Sequence, residues 1–218
     1  ADAAMYRAKA SGRNNFRFYA AGIIDDKIHD HLTMENCLRR ALDRDELFLE
    51  YQPVVDASDK KITGFETLLR WESPELGLVY PDQFIAMAEE TGLIVSIGKW
   101  VLEQACLQAR EWNVRFNAPM VVAVNVSPRQ FLGPNMVRSV TDVLAKTGLP
   151  TSCLELEITE NLLVDDGPET LAIMQELSAM GVRLSIDDFG TGYAGLKVLY
   201  DYHPDFIKID RYFINDIH

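Results

Sequence analysis

Five acidic and amide side chains lie within or at the ends of short apolar segments, where they could together bind divalent metal ions. Glu66 lies inside one such segment, and Asn125 and Glu157 end two others. Asp187 and Asp188 end a fourth and precede a glycine-bracketed loop. An all-oxygen set of this kind suits Mg²⁺ or Mn²⁺, and two such ions can bridge a phosphodiester and activate a water for in-line attack. The set therefore predicts a site for divalent metal ions.

Each of these acidic side chains also has a simpler interpretation. Glu155 and Glu157 alternate with apolar residues, which is also typical of a half-exposed strand with solvated glutamates. We favour a buried position for Glu157, because a parallel strand beneath helices is covered on both faces and a carboxylate there needs a cation or hydrogen bonds. An Asp-Asp-x-Gly run is by itself more often a turn than a ligand pair. The prediction therefore depends on the whole set.

Two basic residues could serve the same site. Lys208 lies in an apolar strand, where a buried ammonium needs nearby carboxylates. Its local sequence favours a structural ion pair with Asp210 or another carboxylate, whereas in an assembled site it could hold a phosphate or orient the attacking water. Arg70 offers a planar fork of donors for phosphate, and a surface salt bridge is an equal alternative.

Six short segments rich in β-branched or aromatic residues predict β-strands. They are Leu47–Val55, Ile62–Trp71, Met120–Val126, Leu154–Ile158, Arg183–Asp187 and Phe206–Ile209. Apolar residues at helical spacing lie between most of these segments, and Gly148 and Gly181 predict two helix ends. Alternating strands and helices indicate parallel β/α units, either in a closed barrel or in a doubly wound sheet.

The positions of the polar residues favour the barrel, because barrels carry their chemistry at the C-terminal ends of several strands. A doubly wound sheet would more often show a glycine-rich phosphate turn after the first strand, and the sequence has none. We therefore predict an α/β fold, a TIM-like (β/α)8 barrel. Such a barrel takes about 250 residues. Since the segment from about Glu35 onward holds six predicted strands, we expect a barrel that stops before its last strands and exposes two unpaired edges.

Composition narrows the classes of partner and compartment. The 218 residues include 21 Lys and Arg against 33 Asp and Glu, a net charge of −12, which disfavours binding to DNA or RNA polymers. The three cysteines show no metal-ligand or disulfide pattern, so we expect a reducing, cytoplasmic compartment. The chain opens at Ala1 without a signal peptide, and we expect it to be a piece of a longer protein.

The ordered motifs resemble those of a known family, the EAL domain phosphodiesterases of bacterial cyclic di-GMP signalling. The resemblance runs from about Glu35 to the end of the chain. It rests on Tyr51-Gln52-Pro53, Glu66-Thr67-Leu68-Leu69-Arg70-Trp71, Pro81-Asp82-Gln83-Phe84-Ile85, Val124-Asn125-Val126-Ser127, Glu157-Ile158-Thr159-Glu160, Asp187-Asp188-Phe189-Gly190-Thr191-Gly192-Tyr193 and Lys208-Ile209-Asp210-Arg211.

Residues 1–20 resemble the closing helix and exit of a GGDEF domain, the diguanylate cyclase-like module. The resemblance thus divides the chain into a GGDEF tail at 1–20, a linker at 21–34 and a C-terminally incomplete EAL domain at 35–218. It implies an upstream GGDEF domain in the same parent chain.

The resemblance further implies hydrolysis of cyclic di-GMP to linear pGpG by a barrel enzyme that uses Mg²⁺ or Mn²⁺, with two ions per site, and that forms a homodimer through this domain. The implied metal ligands are Glu66, Asn125, Glu157, Asp187 and, at the second ion, Asp188. Lys208 would help to hold the attacking water, and Glu160 would support the loop after Asp188. Gln52, Leu68 and Arg70 would line the nucleotide site.

Three features depart from the family pattern. Thr67 replaces the alanine of the family name, and Ala194-Gly195 replaces two serines of the covering loop. The family's general-base glutamate and a late nucleotide-contacting glutamine belong to strands beyond Lys208. We therefore expect this chain to hydrolyse cyclic di-GMP poorly or not at all, and the parent protein to be active. The alternative is a catalytically inactive cyclic di-GMP receptor, and a third possibility is a scaffold that merely dimerises. The presence of every ligand in the set favours the enzyme.

Overall fold

The computed structural model describes residues 23–165, 167–190, 199–200 and 202–213. The expected GGDEF tail at 1–20 lies outside these residues, as does the loop at 191–198 with its Ala194-Gly195 departure. The helices are α1 Ile23–Ala41, α2 Pro81–Thr91, α3 Leu93–Phe116, α4 Pro128–Phe131, α5 Met136–Thr147, α6 Leu162–Asp165 and α7 Gly167–Ala179. The strands are β1 Leu47–Val55, β2 Ile62–Ser73, β3 Gly77–Val79, β4 Val121–Asn125, β5 Leu154–Thr159, β6 Arg183–Phe189 and β7 Phe206–Ile209.

The strands form one sheet in the order β1-β2-β4-β5-β6-β7, with the short β3 paired to β2. Every neighbouring pair from β2 through β7 along this path is parallel. The α/β fold with a mostly parallel sheet is therefore as predicted. Over the described residues the sheet is open, since β1 and β7 form its two edges.

The first strand pair departs from the repeating β/α pattern, because β1 runs antiparallel to β2. Only residues 56–61 connect these strands, and a parallel connection needs a crossover of a dozen or more residues. In this turn Asp56 accepts hydrogen bonds from Ser58 and Asp59, which closes the chain on itself. The short connection therefore allows a hairpin, and the parallel β/α units begin with β2.

The hydrophobic core lies between one face of the sheet and the helices. Val122 and Val124 of β4 and Leu156 of β5 face the helices and are at most 1% exposed. Helix α3 presents apolar residues at helical spacing to this core and ends at Asn117, whose φ of 49° breaks the helix. Helix α5 ends at Gly148, where φ is 67°, as the glycine predicted. This packing fixes the outer face of each strand, so that the alternate residues occupy the inner face.

No helix in the described ranges combines the length and the apolar character that a membrane-spanning segment requires.

Candidate active site

The pairing of the strands places the predicted ligands on the inner face of the sheet. Glu66 pairs with Ala123, Asn125 with Glu157, and Thr159 with Asp187. Because paired residues share a face and residues two apart along a strand do too, these side chains lie on the face opposite to the helices. The middle of β2 and the C-terminal parts of β4, β5 and β6 thus supply one site.

Lys208 lies at the centre of this site. Its Nζ donates hydrogen bonds to Glu66 Oε2 at 2.9 Å and Glu157 Oε2 at 2.8 Å. Asp187 Oδ1 lies 3.7 Å from the same nitrogen. Asn125 Nδ2 donates to the second oxygen of Glu66 at 3.2 Å. Three carboxylates from β2, β5 and β6 therefore converge on one ammonium group.

This cluster has more negative than positive charge, and both burial and charge act on the pKa values of Glu157 and Lys208. Burial raises the pKa of Glu157 to about 7, and the charges of Glu66 and Asp187 act in the same direction, against the hydrogen bond and charge of Lys208. Glu157 is 2% exposed, which agrees with the buried position expected from its strand. Burial acts to lower the pKa of Lys208, but the hydrogen bonds and charges of Glu157 and Glu66 outweigh it and raise that pKa.

Asp188 lies beside this cluster in a different setting. Its φ of 53° is in the left-handed region, and its backbone N–H donates to Asp187 Oδ1 at 3.0 Å. Burial first, and then the charges of Asp187 and Asp210, raise the pKa of Asp188. The Asp210 carboxyl is therefore close enough to Asp188 to act on its pKa. The sequence offered Asp210 as an ion-pair partner for Lys208, but the structure pairs Lys208 with Glu66, Glu157 and Asp187.

Glu160 supports the start of the loop that follows β6. Its side chain is buried, and Oε2 accepts the backbone N–H of Gly190 at 2.8 Å. Its own N–H donates to the carbonyl of Asp187 at 3.3 Å. Glu160 therefore joins the end of β5 to the segment that carries the two aspartates.

The three expected nucleotide contacts extend along the β1–β2 hairpin. Gln52 pairs with Glu66, and Arg70 pairs with Phe48. Leu68 lies between Glu66 and Arg70 on the same face. The structure thus aligns all three residues with Glu66 on the inner face.

Thr67, which stands where the family has alanine, lies on the opposite face of β2. Thr67 is 3% exposed, and no hydrogen-bond partner for its Oγ1 is found in the described part of the chain. It pairs with Val124, whose side chain belongs to the core. The departure from alanine therefore changes the packing beneath the site and leaves the ligand set as it is.

The donor chemistry of the site fits a hard divalent cation. Across the described ranges no three His, Cys, Asp or Glu side chains are already set as a metal cage. Three carboxylates nevertheless surround one cation, the Lys208 ammonium, and they carry more charge than it neutralises. Oxygen ligands with surplus negative charge are what Mg²⁺ and Mn²⁺ prefer.

The chain belongs to the EAL domain family, whose model matches residues 35–218. It is 46% identical over 217 residues to the "Bifunctional diguanylate cyclase/cyclic di-GMP phosphodiesterase MucR" of Pseudomonas aeruginosa, covering 100% of this chain and 32% of the relative. It is 36% identical over 218 residues to "Cyclic di-GMP phosphodiesterase PdeR" of Escherichia coli, again covering 100% of this chain and 32% of the relative. The chain thus spans about a third of the length of these curated relatives.

Solved structures share the architecture. One is described as "PaMucR Phosphodiesterase, c-di-GMP complex", with a TM-score of 0.81 and 47% identity over 84% of this chain and 74% of that one. Another is the cAMP and cyclic-di-GMP bound form of the EAL enzyme Bd1971, with a TM-score of 0.81 and 33% identity over 98% of this chain and 56% of that one. These similarities confirm the predicted fold and family.

Proposed function

We propose that this domain hydrolyses cyclic di-GMP to linear pGpG in a reaction that depends on Mg²⁺ or Mn²⁺. The observation that carries the proposal is the convergence of Glu66, Glu157 and Asp187 on Lys208, from the middle of β2 and the C-terminal parts of β5 and β6. Barrel enzymes place their reacting groups at this end of the strands. Relatives named as cyclic di-GMP phosphodiesterases support the choice of substrate.

The acidic residues of the site would bind the metal ions, and Lys208 would bind a water or a phosphate oxygen. Glu66, Asn125, Glu157 and Asp187 would hold one ion, and Asp188 would contribute to a second. When bound, the ions supply positive charge to the phosphodiester and lower the pKa of a water. Lys208 donates protons of its ammonium toward oxygen atoms at the site, and its raised pKa keeps it charged, so that it can hold a water or a phosphate oxygen.

The binding of the nucleotide involves the hairpin. Gln52 and Arg70 offer amide and guanidinium donors on the same face as Glu66, and Leu68 offers an apolar surface between them. Glu160 would keep the loop after Asp188 in place through its hydrogen bond to Gly190. A dinucleotide that lies along this face would therefore have its reacting phosphate near Glu66 and its remaining parts toward Arg70.

We further propose that the domain begins at residue 35, that residues 1–20 belong to a GGDEF domain, and that the domain forms a homodimer.

Chromatography of cyclic di-GMP incubated with the chain tests the proposal. Turnover should require Mg²⁺ or Mn²⁺, should stop when EDTA is added, and should be lost in Glu157→Gln. Glu155→Gln is the matched control, since Glu155 lies two residues earlier on the same strand face but makes no ion pair with Lys208. We expect Glu155→Gln to keep turnover within about threefold of the unsubstituted chain, an allowance of under about 1 kcal/mol in barrier.

Two results would contradict the enzyme. Tight binding of cyclic di-GMP without turnover in the parent protein as well as in this chain would favour the receptor, and the absence of binding would refute both functions. Equal turnover by Glu157→Gln and the unsubstituted chain would show that the converging carboxylates are not the reacting site.

A further inference from the structure

The guanidinium of Arg70 is held on three sides by other residues. Its Nε lies 2.8 Å from Glu50 Oε2, and its Nη1 donates to the carbonyl of Leu69 at 2.8 Å. The ring of Tyr80 lies against it, with its centroid 5.5 Å from Arg70 Cζ. The arginine side chain is 14% exposed, so it is largely enclosed.

These contacts leave one part of the guanidinium available. Arginine has five N–H donors in a rigid plane, and the contacts of Arg70 in the described residues use Nε and Nη1. Nη2 makes no hydrogen bond to any residue that the structure describes. A fork fixed on one side and open on the other is suited to donate to an anionic oxygen.

The two supporting residues come from different elements. Glu50 lies on β1 opposite Leu68, diagonally across the hairpin from Arg70. Tyr80 precedes helix α2 and is 50% exposed. Glu50 is 55% exposed, so its ion pair contributes little to folding. The main consequence of these contacts is the fixed orientation of a cation on the substrate face.

We infer that Glu50 and Tyr80 are positioning residues that hold Arg70 so that its Nη2 donors meet a non-bridging phosphate oxygen of the nucleotide. This inference rests on the proposed function, since it assigns the partner of Arg70 within the same site. The role of Glu50 is to place a side-chain oxygen 2.8 Å from Nε, which the oxygen of a glutamine amide can also do. Tyr80 supports the guanidinium with its aromatic ring, and its hydroxyl is not required for this.

Paired substitutions separate these roles. Glu50→Ala removes the side-chain oxygen that lies near Arg70 Nε, whereas Glu50→Gln keeps an oxygen there without the charge. Tyr80→Ala removes the ring, whereas Tyr80→Phe keeps it. The affinity for cyclic di-GMP is measured by calorimetry with Ca²⁺ in place of Mg²⁺, because Ca²⁺ accepts the same oxygen ligands at longer distances and favours binding over attack.

We expect both alanine variants to raise the Kd about 2- to 13-fold, which corresponds to the cost of ordering one long side chain on binding. Glu50→Gln and Tyr80→Phe should stay within about twofold of the unsubstituted chain. Glu50→Ala should have no further effect when Arg70 is already alanine, because the residue acts through that arginine. Thermal unfolding midpoints should agree to within about 2 °C among the variants. This agreement would show that a higher Kd does not come from a loss of folding.

Several outcomes would overturn the inference. They are equal or tighter binding by Glu50→Ala, equal losses in Glu50→Gln and Glu50→Ala, and a full effect of Glu50→Ala in the Arg70→Ala background. In these cases the proposed function would stand. If the unsubstituted chain failed to bind cyclic di-GMP at all, the proposed function would fail and this inference with it.

Discussion

Replacement of Lys208 by methionine removes the ammonium group on which three carboxylates converge. The variant keeps most of the side-chain volume but loses hydrogen bonds of 2.8 and 2.9 Å to Glu157 and Glu66. Hydrogen bonds to charged groups contribute about 1.5–3 kcal/mol each, and breaking a fully buried ion pair from one side costs about 3–5 kcal/mol. These values set an upper bound for the loss of stability.

Two features reduce that bound. The Lys208 side chain is 32% exposed, so water partly screens the carboxylates. The pKa of Glu157 is already about 7, and without the ammonium it rises further, so Glu157 takes up a proton near pH 7 and relieves the repulsion. We therefore expect a loss of about 1–3 kcal/mol in the free energy of unfolding, or a lowering of the thermal midpoint by about 2–12 °C for a chain of this size.

Thermal unfolding followed by circular dichroism at pH 7 without divalent cations measures this change. Lys99→Met on an exposed position of helix α3 is the control and should shift the free energy by no more than about 0.5 kcal/mol. Mn²⁺ should recover most of the loss in Lys208→Met, because a cation at 100 times its Kd adds about 2.7 kcal/mol. An unchanged or higher midpoint in Lys208→Met, or no recovery by Mn²⁺, would refute the assignment of surplus negative charge to this cluster.

Three further changes test other parts of the structure. Gly64→Ala should lower the free energy of unfolding by about 1–3 kcal/mol in a denaturant titration, because a Cβ at this position would lie 2.5 Å from the carbonyl oxygen of Val121. Gly167→Ala is the control and should leave stability unchanged, because its Cβ would meet no described atom within 4 Å. Trp71→Phe removes the hydrogen bond of 3.0 Å to buried Glu46, and a loss below about 1 kcal/mol in the same titration would contradict its importance. The three cysteines, Cys37, Cys106 and Cys153, are buried. Their thiols should therefore resist alkylation in the native state at pH 8 and react on unfolding, the more so at Cys106, whose pKa burial raises to about 12. Rapid alkylation of the native protein, counted by mass spectrometry, would contradict this packing.

The hydrophobic patterns predicted the strands well because the alternation of side chains along a strand is local. The bounds of β1 and β7 are those predicted, and β2 extends two residues further, to Ser73. The three-residue strand Gly77–Val79 was missed, since a strand this short shows no period. Gly181, with a φ of 87°, follows the end of helix α7 as predicted.

The sequence by itself determined which side chains share a face within one strand, such as Glu155 and Glu157 of β5. Only the tertiary structure decided that Lys208 meets Glu66, a residue 142 positions earlier, because that contact depends on strand order and register across the sheet. The partner of Arg70 was left open between phosphate and a salt bridge for the same reason. The contact with Glu50 arises from the antiparallel register of the hairpin, which places residues of β1 diagonally opposite to those of β2.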